Sequence, residues 1–450
     1  MNKIITILYF TVLASVNSKA QPKENAALPL TWSLEQCIDY AKQHNIQVNT
    51  VQLSEQSAAQ NLVAARGSRI PSLSASAGNN FINANNNANG TGNLVNQLTS
   101  TGTYSINSSV VLWNNKSVEN TIRQQDLLLQ SAGLSVRQIQ NNITLAITQA
   151  YLNVLLAKDN EKYINQLVRN TDSVLQQSKQ LYDAGSTAKI NVLQLQAQLA
   201  SDKYLLVQAQ NNIRLSVLSL KQLLQLPTET SFEIVTAPDV TSMATLPPVQ
   251  QAQQAALQNF PEIKIGKLGV DISLLNIAIA KAAFRPVIKM NGAIGSGYSD
   301  VVTNTTKPAT GYFIQAGNNL YQSVGVTVAI PVFSQRVNKT NLQKANIAYQ
   351  QAGFGLQNNE LVLTQAVEQA YVNATNAQQA FVAAGQQLVA ATESYRIVNE
   401  ELKIGAINVY DLLQQRNQYV QAVQAFTQAK YAAVLQQKVY QFYMGNPITL

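Results

Sequence analysis

The sequence predicts a mainly α-helical chain with a membrane β-barrel contribution. Its long helices build a coiled-coil tube, and its four β-strands supply one third of a trimeric twelve-stranded barrel. Three observations predict this. First, the chain carries one layout twice. Trp113 to Pro227 lies without a gap on Phe333 to Pro447, which sets Ala150-Tyr151-Leu152-Asn153 on Ala370-Tyr371-Val372-Asn373, Gly185 on Gly405 and Leu193 on Leu413. Upstream, Ala41 falls on Ala256, Ile46 on Pro261 and Pro71 on Pro286 at one offset. A duplicated unit of roughly 200 residues is far longer than a solenoid repeat and points to two similar halves about a pseudo-symmetry axis. Second, four segments alternate apolar with small or polar residues, the period of a strand. Third, the stretch from Asn115 to Tyr182 has no Pro and a single Gly, Gly133.

The elements follow in order. Residues 1–20 read as a secretory signal peptide: Lys3 supplies the charge, Ile4 to Val16 form a short apolar core, and Ser18-Lys19-Ala20 precedes Gln21. That apolar run is too short to cross a bilayer as a mature helix, and no Cys follows Ala20 to carry a lipid. Residues 21–246 form the first repeat. A helix is expected from Ser33 to Ala65, opened by the capping-box spacing Ser33-Leu34-Glu35-Gln36 and closed before Pro71. Strands at about 71–82 and 102–113 flank a polar loop from Ile82 to Gly102. In the first, Leu73, Ala75, Ala77 and Phe81 alternate with Ser72, Ser74, Ser76 and Asn80. In the second, Tyr104, Ile106, Val110 and Leu112 alternate with Thr103, Ser105, Asn107 and Ser109. Helices at about 115–183 and 189–225 complete the repeat.

Residues 247–450 form the second repeat. A helix runs from near Pro248 to Phe284, and strands at about 286–298 and 322–333 flank a loop from Ser299 to Tyr321. Helices at about 338–403 and 408–444 follow. Val324, Val326, Val328, Ile330 and Val332 alternate with Ser323, Gly325, Thr327 and Ala329. At 1.5 Å per residue the long helix of the first repeat reaches roughly 100 Å, and its two shorter helices, roughly 50 Å each, stack end to end along it. Leu193, Leu199, Leu206, Ile213 and Leu220 give the heptad-like spacing of coiled-coil packing.

Strands of this length suit a tilted crossing of a bilayer, with apolar residues toward lipid and polar ones toward water. Four strands cannot close a barrel, and an open sheet edge in lipid leaves backbone groups unpaired. Two chains would give eight strands around a packed interior. Three give twelve and room for a passage, which the small inward Ser, Gly, Ala and Asn residues favour. Composition excludes other classes. The formal charge of +8, reduced to +6 once Lys3 and Lys19 are removed, is spread without a Lys/Arg run, against nucleic-acid binding. Only 12% of residues are charged, about half the usual share. Cys37 stands alone, so no intrachain disulfide forms. The one His, His44, reads as a solvated helix residue and Cys37 as a small buried apolar group. No nucleophile–base pair, metal cluster or phosphate loop is visible, so neither a cofactor nor an enzyme is expected.

The order and duplication of several short segments carry a family resemblance. They are Asn259-Phe260-Pro261-Glu262-Ile263, Arg285-Pro286, Ile330-Pro331-Val332-Phe333 followed by Arg336, and the turns beginning Gly185-Ser186-Thr187-Ala188-Lys189 and Gly405-Ala406-Ile407-Asn408-Val409. Across essentially its whole mature length the chain resembles the TolC family of outer-membrane efflux proteins. The resemblance implies a homotrimer in outer-membrane lipid of a Gram-negative bacterium, with a helical tunnel through the periplasm. It also implies docking to a periplasmic adaptor and an inner-membrane transporter, and passive conduction gated at the helical tip. Asp411 matches the family's gate aspartate. A neighbouring acidic position is occupied by Gln414, and its counterpart in the first repeat by Asn191, so Asn191, Tyr410 and Gln414 are neutral neighbours of a single acidic ring. Lys189, Lys403 and Arg416 are candidates to pair with Asp411. Gly185 and Gly405 are expected turn residues at the surface that meets the adaptor. Asn408-x-x-Asp411 also has helix-cap spacing. A secreted coiled-coil adhesin or scaffold is the alternative; it gives no reason for four amphipathic strands at repeat-matched positions.

Overall fold

The computed structural model describes residues 31–87, 94–227, 229–235, 245–301 and 311–449. The expected signal peptide and parts of both polar loops lie outside the described residues. The first repeat contains β1 (Thr31–Trp32), α1 (Leu34–His44), α2 (Ile46–Gly67), β2 (Ser72–Asn87), β3 (Leu94–Trp113), α3 (Ser117–Asp183), α4 (Lys189–Leu224) and β4 (Glu233–Ile234). The second contains α5 (Val249–Asn259), α6 (Pro261–Ala282), β5 (Val287–Val301), α7 (Tyr312–Asn318), β6 (Tyr321–Ala329), α8 (Val337–Lys403) and α9 (Val409–Tyr443).

The helix expected from Ser33 to Ala65 is two helices. Ser33 and Gln36 form the reciprocal cap of α1. Asn45 then leaves the helical region at φ −65°, ψ 129° and caps α2 by accepting from the Gln47 amide at 2.8 Å. The second repeat breaks at the equivalent place, because Phe260 precedes Pro261 and a residue before proline is driven to extended backbone. The breaks let short helices meet end to end. Gln225, closing α4, accepts from the Ile46 amide at 2.9 Å, so α2 and α4 line up along the 67-residue α3. In the other half Phe260 stacks on Tyr443 at 5.3 Å, which sets the start of α6 at the end of α9 against α8.

The junction of α1, α2 and α4 along α3 holds the largest core. Trp32, Ile147, Tyr151, Leu155, Leu220 and Leu224 are fully buried there with Cys37. Burial, reinforced by the nearby Glu35 carboxylate, pushes the Cys37 thiol up to about 12. A two-stranded parallel ribbon of β1 and β4, absent from the sequence expectation, is tied here: the Tyr151 hydroxyl lies 3.2 Å from the Trp32 carbonyl and 2.8 Å from that of Val235.

The sheet runs in the order β2-β3-β5-β6, all antiparallel, with β2 and β6 as free edges. The β2–β3 ladder extends to the pair Asn87↔Leu94, so much of the expected loop from Ile82 to Gly102 is strand. The loop expected from Ser299 to Tyr321 contains α7. β6 ends at Ala329, short of the expected 333, because Pro331 has no amide for a ladder. Both strand-to-helix corners use consecutive left-handed residues at repeat-matched positions, Asn115-Lys116 and Gln335-Arg336, with φ between +48° and +66°. No helix among the described residues is long and apolar enough to cross a membrane.

Candidate functional site

Two features of the chain bear on function: the sheet and the distal helical turns. Register divides the sheet into two chemistries. Ala75↔Ile106, Ile106↔Ile294, Val110↔Met290, Met290↔Val326 and Ile288↔Val328 are directly opposed, so one face is an apolar field. The other presents Ser72↔Ser109, Ser74↔Asn107 and Ser76↔Ser105, then Asn291 and Thr327. Its side chains bond one another: the Ser76 and Ser105 hydroxyls lie 2.8 Å apart and the Asn291 amide donates to Thr327 Oγ1 at 3.1 Å. The apolar face is bare. Leu73, Val324 and Val326 are 76%, 82% and 61% exposed. An apolar field of that extent is incompatible with water and fits hydrocarbon.

At the opposite end of the long helices lie two hairpins. Gly185 and Gly405 both have φ +74°. At each, the glycine amide donates to the carbonyl three residues back and the next amide reaches five back: Ser186 to Leu181 at 2.8 Å and Ala406 to Glu401 at 3.0 Å. This is the helix-ending pattern that needs a left-handed residue. Leu175, Val192, Leu195, Leu199 and Val409 bury together and hold the two hairpins side by side.

Between them is a cleft of about 450 Å³, lined by Ser178, Thr187 and Asn191 of one hairpin and Gly405, Asn408 and Asp411 of the other. Asn191 donates to Thr187 Oγ1 at 2.9 Å. Asn408 caps α9, its side chain accepting from the Asp411 amide at 3.0 Å. The cap oxygen therefore comes from Asn408, and the Asp411 carboxylate is left exposed in the first turn, where the helix dipole favours it. Tyr410 and Gln414 are exposed near it.

The basic residues do not converge on Asp411. Lys403 pairs with Glu400 at 2.8 Å, three residues back on its own helix. Arg416 is five residues beyond Asp411, which rotates it roughly 140° around α9 and into the interior. It pairs there with Asp202 of α4; the two side chains are 4% and 0% exposed. Lys189 is exposed, and among the described residues no cation lies within 4.0 Å of the Asp411 carboxylate. The expected pairings of Lys403 and Arg416 with Asp411 are thus replaced by local and buried partners.

Asp202 escaped the sequence reading. Thr171 donates to its Oδ2 at 2.7 Å, Gln198 to its Oδ1 at 2.8 Å, and Arg416 completes the set. The site joins α3, α4 and α9. Tyr419 flanks it, with Tyr395 stacked on that ring at 5.2 Å and Tyr163 edge-on at 6.0 Å. Burial is the main cause that pushes all three phenols up. The signal was present: Asp202 continues the seam of Val192, Leu195 and Leu199, and Arg416 that of Val409 and Leu412. A charge at a seam position implies a buried partner.

Paired long helices that carry an amphipathic four-stranded sheet with two open edges fit a membrane-inserted subunit. The chain belongs to the outer membrane efflux protein family, whose pattern matches residues 37–225 and 252–445, one segment per repeat. Its location is accordingly the outer membrane. It is 23% identical to the outer membrane protein TolC of Vibrio cholerae over 411 residues, 90% of this chain and 88% of that one. It is 21% identical to TolC of Escherichia coli over 444 residues, 97% and 85% of the two. Its fold matches the CmeC outer membrane channel of Campylobacter jejuni at TM-score 0.75 and 18% identity, over 92% of this chain and 85% of that one. Nothing in these relationships favours the adhesin alternative.

Proposed function

We propose that three copies of the chain assemble into a passive outer-membrane duct with a twelve-stranded barrel and a periplasmic helical tunnel. The observation that carries this is the sheet: one apolar face, one hydroxyl- and amide-lined face, and free edges at β2 and β6. Edges in lipid must be paired, and a barrel of neighbouring copies pairs them. Helical turns ending in Gly185 and Gly405 face the periplasm and dock an adaptor, which links the duct to an inner-membrane transporter. Solutes cross without covalent chemistry.

The constriction at the tip is set by Asp411. Three copies place three exposed carboxylates around one axis, flanked by neutral Asn191, Tyr410 and Gln414. Such a ring concentrates cations, and its mutual repulsion opposes full closure. The Asp202–Arg416 pair sits above it and fastens the α8–α9 hairpin to the α3–α4 hairpin. Asp411→Ala is expected to reduce cation preference and alter single-channel conductance in planar bilayers, with the oligomer unchanged in size. The effect should fade with rising salt, since ions screen exposed charge. Identical conductance and selectivity at low salt would remove Asp411 from the gate.

A further inference from the structure

We propose that α7 is a membrane-surface anchor that lies on the outside wall of the barrel and meets the outer leaflet, not a lid over its lumen. The inference rests on the reading that the apolar sheet face meets lipid.

The position of α7 follows from strand parity. Ile294, Ser296 and Tyr298 alternate onto one face of β5, the face that opposes Ile106 and Tyr104 of β3. The helix binds that face. Ser296 donates through its hydroxyl to the Ala316 carbonyl, and Tyr312 packs edge-on against Tyr298 at 4.8 Å and Tyr104 at 6.2 Å. Two bonds tie it to the strand backbone, one from its middle and one from just past its C-terminus: the Ser299 amide donates to Gln315 Oε1 at 3.1 Å, and Asn319 donates to the Gly297 carbonyl at 2.7 Å. The helix is thus docked on the side that carries the apolar field, at its upper border.

Its free surface matches that location. Phe313 is 86% exposed and Ile314 59%, and no residue from Gly311 to Tyr321 is charged. Aromatic girdles mark the interfaces of outer-membrane barrels, and a ring with a polar border suits headgroup depth. A second copy is an unsuitable occupant. α7 sits over β3 and β5, the two central strands, whereas neighbouring copies join at β2 and β6. Ile294 and Ile106, exposed on the same face of β5 and β3, lie one same-face pair below Ser296 and Tyr104, on which α7 rests.

The test uses single cysteines in a Cys37→Ala chain, each labelled with the fluorophore NBD and reconstituted in phosphatidylethanolamine/phosphatidylglycerol vesicles with doxyl-labelled acyl chains. Phe313→Cys probes α7, Val326→Cys the apolar face and Ser323→Cys the polar face. The expected result is strong quenching at Val326, at least about half as much at Phe313, and little at Ser323. Quenching at Val326 but none at Phe313 overturns the anchor and leaves the barrel standing. No quenching at Val326 overturns both. As a second measurement, the label at Phe313 should leave single-channel conductance unchanged; a blocked channel would place α7 over the lumen and reject the proposal.

Discussion

Asp202→Ala is expected to loosen the lower half of the helical tube, at a cost of about 3–5 kcal/mol, because it leaves Arg416 buried without its charge partner. Three donors converge on the Asp202 carboxylate, from Thr171, Gln198 and Arg416; in the variant Gln198 and Arg416 lose that acceptor, while the Thr171 hydroxyl keeps the Leu167 carbonyl at 3.0 Å. Arg416 has no escape to water, since its side chain is only 4% exposed, and its Nε already lacks a partner. Hydrogen exchange should show the loss as faster exchange of α4 and α9 near the site, while the junction around Tyr151 stays protected. Removing both charges is a different experiment. Asp202→Leu with Arg416→Met replaces the pair by apolar groups and should recover most of the protection, as buried pairs often break even against well-packed hydrophobes. Exchange in Asp202→Ala indistinguishable from the parent would show that the pair does not hold the two hairpins together.

Val324→Arg and Ser323→Arg, one residue apart, are expected to part company completely. Val324 belongs to the apolar face and is 82% exposed, whereas Ser323 belongs to the polar face. An arginine facing hydrocarbon at mid-depth costs about 2–4 kcal/mol, and each assembled barrel would carry three. The folded oligomer recovered from membranes should fall sharply for Val324→Arg. For Ser323→Arg it should remain, with conductance and anion preference altered by the new charge in the lumen. Equal recovery of both variants would mean that the two faces do not see different solvents.

Much of this organisation is legible in the sequence because it is written in period. Alternation picks out β5 and β6, whose apolar positions Met290 and Val326 then oppose each other in the sheet. Long runs free of proline pick out α3 and α8. Legibility fails where period fades. The end of the β2–β3 hairpin is rich in asparagine on both faces, so nothing in it alternates, yet its ladder continues. The break at Asn45 is silent by itself; Pro261, after its repeat partner Phe260, is the one local mark of it, and the expected single helix from Pro248 to Phe284 runs through that mark. α7 is seven residues long and too short for a helical pattern to show.

The distal site divides in the same way. Local rules find Gly185, Gly405 and the cap at Asn408. Which basic residue meets which acid is a tertiary matter. Asp202 and Arg416 are 214 residues apart and meet only because the two hairpins pack through Leu195 and Val409. Lys403 had a nearer acid in Glu400.

Counting the chains in the particle extracted from outer membranes, by native mass spectrometry in mild detergent, probes the shared barrel most directly. Three copies per particle are expected, twelve strands with every edge paired. A stable single copy that needs no detergent, or a closed particle of any other number, would contradict it.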